Sequence, residues 1–126
     1  MADLSGNWLG TYWQAGSPTR FEATLVHGGN VLGGRILDDG NLGEAQIVSG
    51  EVVGRSVGFT KRYLTSSNPP IVYTGTISED GDSMQGQWRI NRSNSGLWEA
   101  HRSKDDLTAE LQRRMAKQLA VSAGRS

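Results

Sequence analysis

Between residues 7 and 102 the chain alternates apolar and polar side chains in eight short runs, each ended by Gly, Pro, Asn, Asp or Ser, with no helical period between them. Alternation puts every second side chain on one face of an extended strand. Strands are therefore predicted near 7–14, 20–27, 31–37, 44–49, 56–64, 70–78, 83–90 and 95–102. The apolar parity slips over Val48–Arg55, so a bulge at Ser49-Gly50 and an early turn both fit there, and the count can change by one. A chain of 126 residues is one domain, and strands with no helix between them have no parallel crossover. The expected fold is all-β: an eight-stranded antiparallel up-and-down barrel over 1–102, followed by one C-terminal helix.

Charge and cysteine content narrow the partners. Thirteen basic and thirteen acidic residues leave no net charge, which argues against nucleic acid and anionic membrane as partners. Without cysteine there is no disulfide framework and no thiolate metal site, which favours a reducing compartment. The first residues lack a charged-then-apolar leader pattern and no run of 18 apolar residues occurs, so the expected location is the cytoplasm. The Asn91-Arg92-Ser93 acceptor triplet then reads as an ordinary loop.

The connections alternate in character. His27–Asn30, Gly54-Arg55 and Glu79–Asp82 read as tight turns, the last with an Asp-Gly signal. Ala15–Pro18, Asp38–Gly43, Thr65–Pro69 and Asn91–Asn94 read as longer loops. Odd and even connections of a meander lie at opposite ends, which predicts a closed bottom and an open mouth.

Parity assigns an inward set: Trp8, Gly10, Tyr12; Phe21, Ala23, Leu25; Leu32, Gly34, Ile36; Ala45, Ile47; Val57, Phe59, Lys61, Tyr63; Ile71, Tyr73, Gly75, Ile77; Met84, Gly86, Trp88; Trp98, Ala100, Arg102. Small residues beside large aromatics point to a cavity. The competing reading is that the glycines serve curvature and ring packing, with no empty volume.

Gly6-Asn7-Trp8 opening the first strand and Arg102 ending the eighth resemble the signature of the calycins, the lipocalins, fatty-acid-binding proteins and avidins. The resemblance spans residues 5–102. It implies a barrel whose first-strand tryptophan, Trp8, plugs the closed end under a basic residue, Arg102, in a cation–π contact. The triplet and disulfides of secreted lipocalins are missing. The avidin biotin anchors are missing too: Gly10 and Gln14 hold the first-strand places and Glu99 has outward parity.

Ligand contacts are expected at the mouth, from Tyr12, Phe21, Lys61, Tyr63, Tyr73, Trp88 and Trp98, with Ile36 and Ala45 beside them. Lys61 is a cation facing aromatics and suits a ligand carboxylate or phosphate; alternatively a bulge lets it snorkel to solvent at the rim. The tyrosine hydroxyls can orient a ligand or simply bond to backbone. His27 falls in a tight turn and His101 points outward, so no metal site, catalytic histidine or cofactor is indicated. Asp38, Asp39, Glu44, Asp80 and Asp82 fall in turns, where carboxylates are common for backbone reasons.

After Arg102 the period changes. Ser103-Lys104-Asp105-Asp106 suits a helix start, and Leu107, Leu111, Met115 and Leu119 form an apolar stripe. A helix within 103–121, about sixteen residues and so about 24 Å long, would lie along the barrel wall over Leu9, Trp13 and Leu97, with 122–126 frayed. Left uncovered, the outer face with Trp13 would join copies of the chain in a homo-oligomer.

The leading functional expectation is a module that binds a small, mostly hydrophobic or aromatic and optionally anionic ligand in the barrel. An isomerase- or cyclase-type enzyme using Lys61 or a tyrosine as proton donor is the alternative, with a filled, purely structural barrel as the third.

Overall fold

The computed structural model describes residues 3–39, 43–64 and 68–103. Its strands are β1 (Gly6–Gln14), β2 (Ser17–Gly28), β3 (Val31–Asp38), β4 (Glu44–Val53), β5 (Ser56–Tyr63), β6 (Ile71–Ile77), β7 (Ser83–Asn91) and β8 (Asn94–Arg102). Each pairs antiparallel with its sequence neighbour, and β1 pairs with β8 from Trp8↔Arg102 to Tyr12↔Trp98. The sheet is a closed eight-stranded up-and-down barrel. Closure leaves no strand edge unpaired, so every strand can place one face inward.

The parity slip in the fourth run is a bulge. Ser49 has φ 52° and the β4–β5 register shifts between Val48 and Glu51. The bulge turns Val52 inward, where it is buried, and β4 runs on to Val53, so the count stays at eight. Nearly all of the inward set predicted by parity is buried. Leu4, from the segment before β1, adds a further core side chain that alternation within the strands does not reveal.

The space left by the inward glycines is filled by rings. A Cβ on Gly10 would stand 2.2 Å from Phe21 Cζ, and one on Gly75 would stand 2.7 Å from Trp98 Cζ2. Phe59 and Tyr73 stack at 4.9 Å between centroids, with Trp98 edge-on to both at 6.0 and 5.5 Å. The middle of the barrel is thus a packed aromatic layer. Small inward residues are a cue here to close ring approach, not to an empty centre.

The connections differ from expectation mainly at one end. The end that holds the start of β1 carries the two-residue connections 29–30 and 54–55, tight as expected, and 78–82, one residue longer than the turn expected at 79–82. In the last, Asp80 accepts from the Ser78 hydroxyl at 2.6 Å and the Asp82 amide at 3.0 Å. At the opposite end 39–43 spans five residues, the same as 78–82, and 64–70 spans seven. Ala15-Gly16 and Arg92-Ser93 are two-residue links instead of longer loops. Ala15 and Gly16 both have positive φ, 49° and 82°, the twist that lets a two-residue hairpin follow the strands. The mouth is therefore bordered by two loops, not ringed by four. The helix and tail expected beyond Ser103 lie outside the described residues.

Candidate functional site

At the closed end, Trp8 and Arg102 face each other across the β1–β8 seam. The guanidinium carbon lies 4.9 Å from the indole centroid. Arg102 also donates to Asp82 Oδ1 and to the Ser5 carbonyl, each at 3.0 Å, and to the Asp3 carbonyl. The Trp8 indole N–H donates to the Leu4 carbonyl at 2.8 Å, and the Leu4 amide donates to His27 Nδ1 at 3.1 Å. With Nδ1 accepting, the ring proton sits on Nε2, 3.0 Å from the Gly29 carbonyl. The Trp8, Arg102 and His27 side chains of this cap are thus engaged with protein groups.

The other half of the interior is different in kind. Lys61, inward on β5, is completely buried. Its ammonium donates to Asp38 Oδ1 at 2.7 Å and Oδ2 at 2.8 Å. Asp38 is the last residue of β3, two places beyond Ile36 and so on the same inward face. Tyr12 of β1 donates to Asp38 Oδ2 at 3.1 Å, and Tyr63 of β5 donates to the same oxygen. One carboxylate thus gathers three donors from two other strands across the barrel.

This corrects two sequence expectations. Asp38 is not a turn carboxylate but a buried counter-ion. Lys61 does not reach solvent at the rim, and its charge is already met by Asp38. The signal that identifies Asp38 is the parity of Leu32, Gly34 and Ile36 carried one step further, together with the rule that a buried lysine needs a partner.

Burial governs the electrostatics. It pushes the Lys61 ammonium below the usual lysine range, with the Asp38 charge pulling the other way. The same burial, reinforced by Asp38, pushes the Tyr12, Tyr63 and Tyr73 hydroxyls upward. All three phenols stay protonated and act as donors over the ordinary pH range. The Lys61 nitrogen lies 4.7, 4.9 and 5.8 Å from the ring centroids of Tyr12, Tyr63 and Tyr73, an aromatic surround for a cation.

Over this cluster opens a pocket of about 180 Å³. Tyr12, Tyr63, Tyr73 and Trp88 line it together with Ile71 and Ile90, and Gln14, Asn68 and Pro69 form its rim. The Trp88 indole N–H is held by the Trp13 carbonyl at 3.0 Å, which fixes its ring as a wall. The Tyr73 ring is buried, and its hydroxyl has no hydrogen-bond partner among the described residues; the oxygen itself is not sealed from the pocket, since no buried side-chain polar atom among them goes unpartnered.

Of the seven residues expected to contact a ligand, four line this pocket: Tyr12, Tyr63, Tyr73 and Trp88. Lys61 lies behind the tyrosine rings. Phe21 stacks on the far side of Tyr12, at 6.3 Å between centroids. Trp98 belongs to the central layer, its N–H bonded to the Thr74 carbonyl at 3.0 Å. On the outer wall, Trp13 and Leu97 share one shallow depression, while Leu9 lies opposite His101 and lines others. Among the described residues no group of three His, Asp or Glu side chains could hold a metal ion.

No protein-family model matches the chain, and no curated protein matches it at a significant level.

Proposed function

We propose that this barrel, calycin-like in its closed-end Trp8–Arg102 contact, binds one small neutral aromatic molecule in the pocket between Tyr63, Tyr73 and Trp88. The observation that carries this is the Tyr73 hydroxyl, a donor with no partner among the described residues that opens onto a pocket walled largely by rings and aliphatics. A ligand oxygen or nitrogen that accepts from it would add about 0.5–1.5 kcal/mol net.

Size and charge define the ligand further. An apolar cavity of about 150 Å³ holds benzene, so about 180 Å³ suits a single substituted ring and not a long lipid tail. Asp38 already neutralises Lys61, so an anionic ligand would bring an unbalanced charge into the barrel. The preferred ligand is a neutral ring carrying one hydrogen-bonding group.

The test is a tryptophan-fluorescence titration with benzyl alcohol, toluene and benzoate. Benzyl alcohol quenches saturably and binds more tightly than benzoate. Tyr73→Phe weakens benzyl alcohol by about threefold to tenfold and leaves toluene unchanged, while Trp88→Phe removes most of the signal. No saturable response to any of the three would overturn the reading.

A further inference from the structure

We propose that Lys61 captures aromatic aldehydes in this pocket as a reversible imine, with Asp38 as the proton carrier and Tyr73 holding the carbonyl oxygen. The inference rests on the pocket being a binding site for a small aromatic ring.

The first observation is the choice of cation. The chain has lysines at 61, 104 and 117 only, and every other cationic side chain of the barrel, from Arg20 to Arg102, apart from its histidines, is arginine. An arginine stays protonated and is no nucleophile, whereas a buried lysine can lose its proton and attack a carbonyl. The second is position. The three tyrosines whose rings surround the Lys61 nitrogen at 4.7–5.8 Å are the same three that line the pocket, so the amine lies one ring behind the space a ligand would fill. Its four-carbon stem has the rotors to carry the nitrogen between those rings. The third is the proton acceptor. Asp38 Oδ1 lies 2.7 Å from the Lys61 nitrogen, so the proton the amine must shed has an acceptor within hydrogen-bond reach. The fourth is the Tyr73 hydroxyl, a donor on a pocket-lining residue with no partner among the described residues, from which a carbonyl oxygen can accept.

The chemistry balances without an added reagent. Lys61 gives a proton to Asp38, and its lone pair forms the C–N bond while the C=O π pair moves to oxygen. That oxygen takes the proton from Asp38, and the nitrogen returns one to it, giving a carbinolamine. The nitrogen lone pair then forms C=N as the C–O bond breaks, and the hydroxide leaves as water with the Asp38 proton. The product is a protonated imine beside the Asp38 carboxylate: one aldehyde consumed, one water released, and the charge pair restored.

The test uses the full chain with benzaldehyde and cyanoborohydride near neutral pH, followed by peptide mapping. The expected result is a benzyl group on Lys61 at least about tenfold in excess over Lys104 or Lys117, as proximity requires, with benzyl alcohol suppressing it. Labelling that is equal among the three lysines, or confined to Lys104 and Lys117, overturns the proposal. Saturable quenching by benzyl alcohol without Lys61 labelling overturns the covalent step alone; absence of both overturns the pocket reading as well. Tyr73→Phe lowers Lys61 labelling severalfold, and unchanged labelling would overturn the role given to its hydroxyl.

Discussion

Lys61 and Asp38 meet at 2.7 Å with both side chains wholly buried, and they come from strands that are not neighbours, β5 and β3. Their attraction works against the cost of removing two charges from water, so the pair matters most when it is broken. Lys61→Met alone and Asp38→Leu alone should each destabilise the barrel by about 3–5 kcal/mol, because each leaves one buried charge uncompensated. The double variant should regain most of that loss. Urea unfolding of the four proteins measures the coupling, and additive losses would show that the two groups do not depend on each other.

Tyr63 and Tyr73 differ in one respect that stability can read. The Tyr63 hydroxyl serves the Asp38 carboxylate, whereas the Tyr73 hydroxyl serves no protein group found among the described residues. Tyr63→Phe should cost about 1.5–3 kcal/mol, the range for a hydrogen bond to a charged group. Tyr73→Phe should be neutral or slightly stabilising in the unliganded protein. Equal losses in thermal melts would contradict the difference.

Alkaline pH should unfold the barrel steeply. The folded-state values of Tyr12, Tyr63 and Tyr73 are raised above the ordinary 10.0, so above that pH the unfolded chain loses these protons first and stability falls. Lys61 acts in the opposite sense: its folded value is lowered from 10.5, so between the two the unfolded chain holds the extra proton and stability rises. Above pH 10.5 the tyrosines dominate, and each phenol that stays protonated in the fold should steepen the loss by up to about 1.4 kcal/mol per pH unit. Denaturant midpoints measured from pH 8 to 11.5 would check both the sign and the slope.

Arg102 carries more than its contact with Trp8. It also ties down the Asp3 and Ser5 carbonyls and Asp82, a fork geometry that lysine cannot reproduce. Arg102→Ala should cost about 2–4 kcal/mol and Arg102→Lys about half of that, combining the cation–π and charge-assisted hydrogen-bond ranges. Trp8 emission should shift to the red in the alanine variant as the cap loosens. A lysine variant as stable as the parent would mean that only the charge over the ring matters.

The β1–β2 turn holds an alanine where the backbone wants another residue. Ala15 sits at φ 49°, a left-handed conformation that Asn or Gly adopts more readily. Ala15→Asn should stabilise the protein by about 0.5–1 kcal/mol, seen as a rise in Tm. Ala15→Val should lower it, since a branched Cβ worsens the same clash.

Much of the architecture was legible from residue order. Period-two alternation is a local signal, and it sufficed to place eight strands and to orient side chains as different as Trp8, Phe59 and Ile77, all now buried. The irregularity at Ser49-Gly50 also showed itself as a break in parity, which fitted a bulge or an early turn alike until the β4–β5 register shift made it a bulge. The length of the mouth loops was less legible: Ala15-Gly16 and Arg92-Ser93 carry generic turn composition, and how far the strands pair beyond them is decided by the partner strand.

The candidate site divides in the same way. That Lys61 and three tyrosines face inward follows from parity along single strands. That Asp38 is their counter-ion does not, since Asp38-Asp39-Gly40 has the composition of a turn. Its role depends on β3 pairing with Phe21 to its last residue and on the barrel closing so that β1, β3 and β5 point at one another. Alternation is set by the geometry of a single strand, so sequence alone determined which side chains enter the barrel. The partner of a buried charge is set by distance through the interior, and only the tertiary structure decided that Asp38 would meet Lys61.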